Sequence, residues 1–309
     1  MKPFRFGVQL STAASGKEWR DLARQIESLG YSSLLLPDHL GDQLAPMVAL
    51  TSAAEATTSL RVGTLVLDND FRHPLVLAKE AATLDLLSEG RLELGIGAGW
   101  MVTDYDESGI AYDPPGVRVS RLSEAVDILR ALWVDGKCDY EGTHYRLSGA
   151  QGLPRPHSPA GPALVIGGGS PKVLDLAARK ADIVGVNPNL RAGVIGPGIA
   201  AEVLASRYDE KVSWVRAAAG DRWGEFEMQC LCFIVQVGTD RDEAVRNIAP
   251  MFGLPEEDAG SVPIALVGTV DQICETIQER RERWGFNYWV VHQLEMEAFA
   301  GVVEALDGK

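Results

Sequence analysis

Eight short apolar runs, each followed by a segment of helical periodicity, limit this sequence to a small set of folds. The runs are 4–10, 33–37, 61–67, 92–97, 163–167, 182–186, 228–237 and 287–292. Most are continuously apolar rather than alternating, the pattern of parallel strands covered on both faces. Between them, Trp19, Leu22, Ala23, Ile26 and Leu29 recur at helical spacing, with Gly30 as the stop. Pro74 suits the first position of a helix that reaches Leu87 and ends before Gly90. Val119, Leu122, Ala125, Val126, Leu129, Leu132 and Trp133 share one face of a longer helix. Thr269 and Gln272 form a capping box for a helix that buries Ile273 and Ile277 and stops at Gly285. Eight such units predict a (β/α)8 TIM barrel, with a doubly wound open sheet as the alternative arrangement of the same alternation.

A length of 309 residues suits one barrel, so a single domain over 1–309 is expected. No linker, low-complexity tract or repeat beyond the βα unit interrupts it. The stretches 98–116 and 136–162 exceed ordinary βα loops, and 250–266 is irregular. These three are expected as insertions that wall the site.

Charge narrows the function. With 29 Lys and Arg against 43 Asp and Glu, the net charge is −14. That balance argues against nucleic acid as a partner and requires local dipoles and cations for any anionic ligand. No apolar run approaches the ~18 residues of a membrane helix. The start Met1-Lys2-Pro3-Phe4-Arg5-Phe6 has no apolar leader, so a cytoplasmic protein is expected. Cys138, Cys230, Cys232 and Cys274 make no C-x-x-C pair, and the five histidines and the acids show no metal-ligand spacing. No G-x-S-x-G marks a serine nucleophile.

Two glycine-rich stretches follow strands. Gly95-Ile96-Gly97-Ala98-Gly99-Trp100 lacks the last glycine of a dinucleotide fingerprint and reads as a crowded strand end. Gly167-Gly168-Gly169-Ser170-Pro171 feeds a helix with an N-cap serine and an N1 proline. Such a turn is either a phosphate cradle or simply a tight turn. Asp38-His39 follows the second strand, on the catalytic face of a barrel. The two residues form either a general acid–base group or a structural pair.

Taken in order, several motifs resemble the bacterial luciferase-like superfamily and, within it, the coenzyme F420-dependent oxidoreductases. They are Pro37-Asp38-His39, Val62-Gly63-Thr64-Leu65-Val66, Phe71-Arg72-His73-Pro74 and Glu89-Gly90-Arg91 before Leu94–Trp100. Pro114–Arg118, Gly167–Gly169, Ala177-Ala178-Arg179 and Gly268-Thr269 complete the set, which spans residues 6 to 291. The resemblance implies a barrel holding F420, or alternatively FMN, at the C-terminal strand ends. It implies a non-prolyl cis peptide at Leu65–Val66 behind the cofactor ring, and a phosphate cradle at Gly167, Gly168, Gly169 and Ser170. His39 matches the proton donor or acceptor of similar enzymes, with Asp38 as its orienting partner. Gly99, Trp100, Thr103 and Asn187 are implied cofactor contacts, and Gln9, Trp100 and His292 pocket members. Trp100 and Met101 stand where sugar-phosphate dehydrogenases of the family place an acid, so a flatter, more apolar small molecule is expected. Relatives commonly form homodimers. Two alternatives remain: an FMN-dependent monooxygenase with a separate flavin reductase, and a non-catalytic flavin-binding barrel.

Overall fold

The computed structural model describes residues 2–309 apart from 192 and 194–196. Eight parallel strands close on one another: β1 (Arg5–Gln9), β2 (Ser33–Leu36), β3 (Arg61–Thr64), β4 (Leu92–Gly97), β5 (Ala163–Gly168), β6 (Ile183–Val186), β7 (Glu227–Leu231) and β8 (Phe286–His292). Each pairs with the next, and β8 returns to β1 through registers such as Gly7 with Val290. The alternation therefore resolves as a closed (β/α)8 barrel rather than a doubly wound sheet. A long helix packs on the barrel after each strand: α1 (Gly16–Ser28), α2 (Pro46–Ala56), α3 (Pro74–Leu87), α4 (Pro115–Val134), α5 (Pro171–Lys180), α6 (Ala205–Ala219), α7 (Val270–Trp284) and α8 (Met296–Leu306), with further helices at Val102–Ser108, Arg241–Phe252 and Glu256–Ala259 in the connections.

Local signals placed these helices. Ser15 caps α1 by accepting from Glu18 N–H, and Pro74 opens α3. The capping box is formed in full, Thr269 accepting from Gln272 N–H while the Gln272 side chain accepts from Thr269 N–H. Leu122, Val126, Leu129 and Trp133 are fully buried on the inner face of α4. The main core lies between barrel and helices, while Leu35, Leu65, Val165, Ile183, Tyr288 and Val290 fill the barrel itself.

The bottom of the barrel is closed by charge. Arg5 donates to Glu93 at 2.7 Å and to Glu227 at 2.6 and 2.8 Å, and Arg61 donates to Glu93 at 2.6 Å. The Tyr288 hydroxyl donates to the other Glu93 oxygen at 3.0 Å and sits 2.5 Å from Ser33 Oγ. The Arg5 guanidinium lies 3.6 Å over the Tyr288 ring.

Two expected elements differ. The run 228–237 is not one strand. The chain leaves the barrel at Cys232-Phe233, and Ile234–Val237 pairs in parallel with Ala265–Gly268 outside it. The insertion 136–162 forms an antiparallel hairpin, Lys137–Glu141 with Arg146–Gln151, placed after α4 and before β5. A chain leaving the end of a barrel helix emerges at the N-terminal face, opposite the catalytic mouth. The hairpin folds back along α4, where Glu124 accepts from the N–H groups of Thr143, His144 and Tyr145.

Candidate active site

A cavity of about 650 Å³ opens at the C-terminal mouth and takes residues from the ends of all eight strands. Of the residues singled out from the sequence, Gln9, Asp38, His39, Leu65, Val66, Gly99, Trp100, Gly167, Gly168, Gly169, Ser170, Asn187 and His292 line it. Thr103 does not. It is exposed on the short helix Val102–Ser108, and the next residue, Asp104, is the buried one that faces the cavity. One helical step turns a side chain by about 100°, enough to exchange the two. No residue of 136–162 or 250–266 lines the cavity, and its walls include 187–191, 231, 233 and 292–294 instead. The hairpin begins at the wrong end of the barrel. The 250–266 stretch ends in the strand that pairs with Ile234–Val237.

The Leu65–Val66 peptide is cis and interrupts the third strand, which resumes briefly at Leu67–Asp68. Side chains replace the missing ladder there. The Thr64 hydroxyl donates to Gly95 O at 2.7 Å and accepts from Gly95 N–H at 2.8 Å. Gln9 Nε2 donates to Leu65 O at 3.1 Å, which gives this pocket residue a definite task. The Val66 side chain fits only because its neighbours are small. A Cβ on Gly95 would lie 2.0 Å from Thr64 O and 2.9 Å from Val66 Cγ1, and one on Gly97 2.9 Å from Val66 Cγ2. Gly99 has φ of +72°, and a Cβ there would strike the Tyr105 hydroxyl at 2.0 Å and Asp68 Oδ2 at 2.3 Å. The first glycine run is thus a crowded strand end wrapped around Val66.

His39 and Asp38 part company. The His39 Nδ1–H donates to Asp104 Oδ2 at 2.7 Å, and Asp104 Oδ1 also accepts from Leu40 N–H at 3.2 Å. Asp38, expected to orient His39, is instead held by both Arg72 terminal nitrogens and accepts from Asp68 N–H at 3.0 Å. Adjacent residues of an extended segment point apart, so the neighbour in sequence is not the neighbour in space. Asp104 carried no sequence signal. Its partner lies 65 positions away, and only barrel closure brings the ends of β2 and β4 together. Arg72, by contrast, sits inside the Phe71–Pro74 motif and was within reach. The Trp100 ring meets the His39 ring edge-on, with centroids 5.7 Å apart.

Other groups tune the walls. Burial, reinforced by Asp70 and Asp38, pushes the Asp68 carboxyl up to about 6 despite hydrogen bonds from Asp70 N–H and the Tyr105 hydroxyl. Burial lowers the His292 pKa, favouring a neutral ring at the end of β8. Behind Asn187, the fully buried Lys211 pairs with Glu202 at 2.7 Å and donates to Asn187 O at 3.0 Å, while burial holds its pKa below the ordinary lysine value.

The second glycine stretch ends β5 and starts α5, with Ser170 Oγ accepting from Val173 N–H. A Cβ on Gly169 would lie 2.4 Å from Asn187 O and 2.6 Å from Asn189 N, so the turn packs directly on the loop after β6. Glycine backbone leading into a helix N-terminus that borders a cavity can hold a phosphate group. Among the described residues no cluster of three or more His, Cys, Asp or Glu is arranged for a metal. No described helix is long and apolar enough to cross a membrane.

A closed parallel barrel with a cavity at its C-terminal mouth, built by loops from every strand, defines an enzyme of the TIM-barrel class. The chain belongs to the luciferase-like monooxygenase family, whose pattern matches residues 1–257. An F420-dependent glucose-6-phosphate dehydrogenase from Nakamurella multipartita is 30% identical over 301 residues, covering 91% of this chain and 83% of the relative. Among solved structures, the coenzyme F420-dependent tetrahydromethanopterin reductase from Methanopyrus kandleri superposes with a TM-score of 0.79 at 18% identity, covering 98% of each chain. A monooxygenase from Streptomyces bottropensis superposes with a TM-score of 0.71 at 22% identity, covering 97% of this chain and 96% of its own.

Proposed function

We propose that this chain is a coenzyme F420-dependent oxidoreductase acting on a small organic molecule with an apolar, flat portion. The carrying observation is the His39–Asp104 pair facing a cavity bounded by the Val66 bulge and by the Gly167–Ser170 turn. The similarity to an F420-dependent dehydrogenase over 91% of the chain supports the choice of cofactor. When bound, F420 supplies or accepts the hydride of such a reaction. Val66, Gly97 and Gly167 would back its ring, and Gly167, Gly168, Gly169 and Ser170 would receive its phosphate.

The chain's own residues manage the proton. Asp104 accepts the Nδ1–H of His39 and so leaves Nε2 as the atom that gives or takes a proton at a substrate heteroatom or carbon. Trp100, Met101, Phe233 and Leu294 supply apolar wall, consistent with a substrate less polar than a sugar phosphate. Gln9, rather than waiting for substrate, holds the Leu65 carbonyl.

Fluorescence titration of the purified protein with F420, and separately with FMN, tests the cofactor. Saturable binding of F420 with little affinity for FMN is expected. The reverse preference would move the chain to FMN-dependent monooxygenation with a separate reductase. A homodimer belongs to the same proposal: α2 carries one charge, Glu55, in eleven residues and leaves Val48 74% exposed. A sedimentation-equilibrium mass of a single chain would remove it.

A further inference from the structure

Arg118 stands apart from the other arginines around the cavity. Arg72 is paired with Asp38, and Arg121 with Asp70 and Asp113. Arg118 is only 4% exposed, borders the cavity from the first turn of α4, and makes no ion pair among the described residues. Its Nε and one terminal nitrogen are buried without a hydrogen-bond partner among them. The guanidinium is held in place through its face, 4.0 Å over the Tyr112 ring, whose hydroxyl donates to Trp100 O at 3.0 Å. The neighbouring Tyr105 hydroxyl donates to Asp68 and Asp70, and its oxygen faces Arg118 as an acceptor, so the guanidinium has one neutral contact and no anion among the described residues. A guanidinium taken out of water with donors unsatisfied is costly unless an anion completes it.

We infer that Arg118 is the cation of the cofactor site, taking an oxyanion of the phosphodiester that the Gly167–Ser170 turn receives. This rests on the F420 reading. Pro115, Arg118 and Val119 of α4 and Gly168, Ser170 and Val173 at the start of α5 border one cavity, so the guanidinium and the helix N-terminus serve one space. Elsewhere in that cavity the carboxyl groups of Asp38 and Asp104 already have partners, and the other arginine bordering it among the described residues, Arg191, is exposed. A chain of net charge −14 repels a phosphodiester at long range, so a fixed cation at short range is what retains one. A planar guanidinium clamped over a ring suits the two-pronged geometry of phosphate better than a mobile ammonium.

The test titrates wild type, Arg118→Met and Arg118→Lys with F420 and with the deazaflavin riboside that shares its ring and ribityl chain but has no phosphodiester. Arg118→Met is expected to weaken F420 binding by about 10–100-fold and to leave riboside binding within about twofold. Arg118→Lys should fall between. Millimolar inorganic phosphate should compete with F420 and not with the riboside. Equal weakening of both ligands, or unchanged F420 affinity, would overturn the assignment to phosphate. Wild type that binds F420 and riboside equally would overturn it too while leaving the cofactor reading intact. Wild type that binds neither ligand would remove both. Should Arg118→Met fail to fold, as seen by circular dichroism, Arg118→Lys and phosphate competition decide on the same criteria.

Discussion

Replacing His39 with alanine is expected to lower kcat by about 10²–10⁴-fold, the usual range for a positioned acid–base group, while F420 affinity changes only a few-fold. The ring is held at Nδ1 by Asp104 and touches Trp100 edge-on, so it presents one nitrogen in one orientation. The proposed Gly167–Ser170 cofactor contacts lie on another strand end, which is why binding should survive. Asp104→Asn separates positioning from chemistry. The amide keeps the shape but removes the charge that fixes Nδ1 as donor, so the loss should be smaller and fall on kcat rather than KM. Steady-state kinetics with a dehydrogenase substrate panel and cofactor titration in parallel give both numbers. Unchanged turnover in His39→Ala would take the proton step away from His39. An equal loss of F420 affinity would make it a binding residue.

The second large effect lies at the other end of the barrel. Glu93→Gln should destabilise the fold by about 3–5 kcal/mol, because breaking a buried pair leaves the partner charges uncompensated. Glu93 is 1% exposed and accepts from Arg5, Arg61 and Tyr288 at once. Burial alone would raise its pKa, but Arg5 and Arg61 outweigh that and hold it below the ordinary glutamate value. A carboxylate with a depressed pKa contributes its stability in full above the unfolded-state value, and loses it as pH falls through the folded one. Urea-unfolding midpoints of wild type and Glu93→Gln should therefore differ widely at neutral pH and converge in acid. A gap that stays constant with pH would show that shape, not charge, is what Glu93 supplies.

The barrel was legible because its signals are local. Continuous apolar strands, the Ser170-Pro171 start and the Thr269–Gln272 box all lie within a few residues of the element they define, and each formed as read. Local similarity hides a change of partner in the seventh unit. Residues 228–237 look like one strand, yet Cys232 N–H still bonds Val290 in the barrel while Phe233 N–H bonds Ile264 outside it. The 136–162 insertion was visible as an insertion, and its place between the helix through Trp133 and the run 163–167 already sets it at the N-terminal end of the barrel, away from the mouth.

The site divides in the same way. Gly167–Ser170 and His39 could be named because a turn or a strand end marks each within its own segment, while Val66 and Asn187 came from the family resemblance. Asp104, Arg72 and Arg118 acquire their roles only from what they face, and Thr103 lost its place to Asp104 by one helical step. By itself the sequence determined the eight βα units, their caps and the residues set at the strand ends, since hydrophobic period and backbone conformation act over a few residues. Only the tertiary structure decided that His39 pairs with Asp104 rather than Asp38, that Glu93 gathers Arg5 and Arg61, and that Arg118 borders the cavity with no ion pair among the described residues. Those pairings depend on distances that barrel closure sets between segments tens of residues apart.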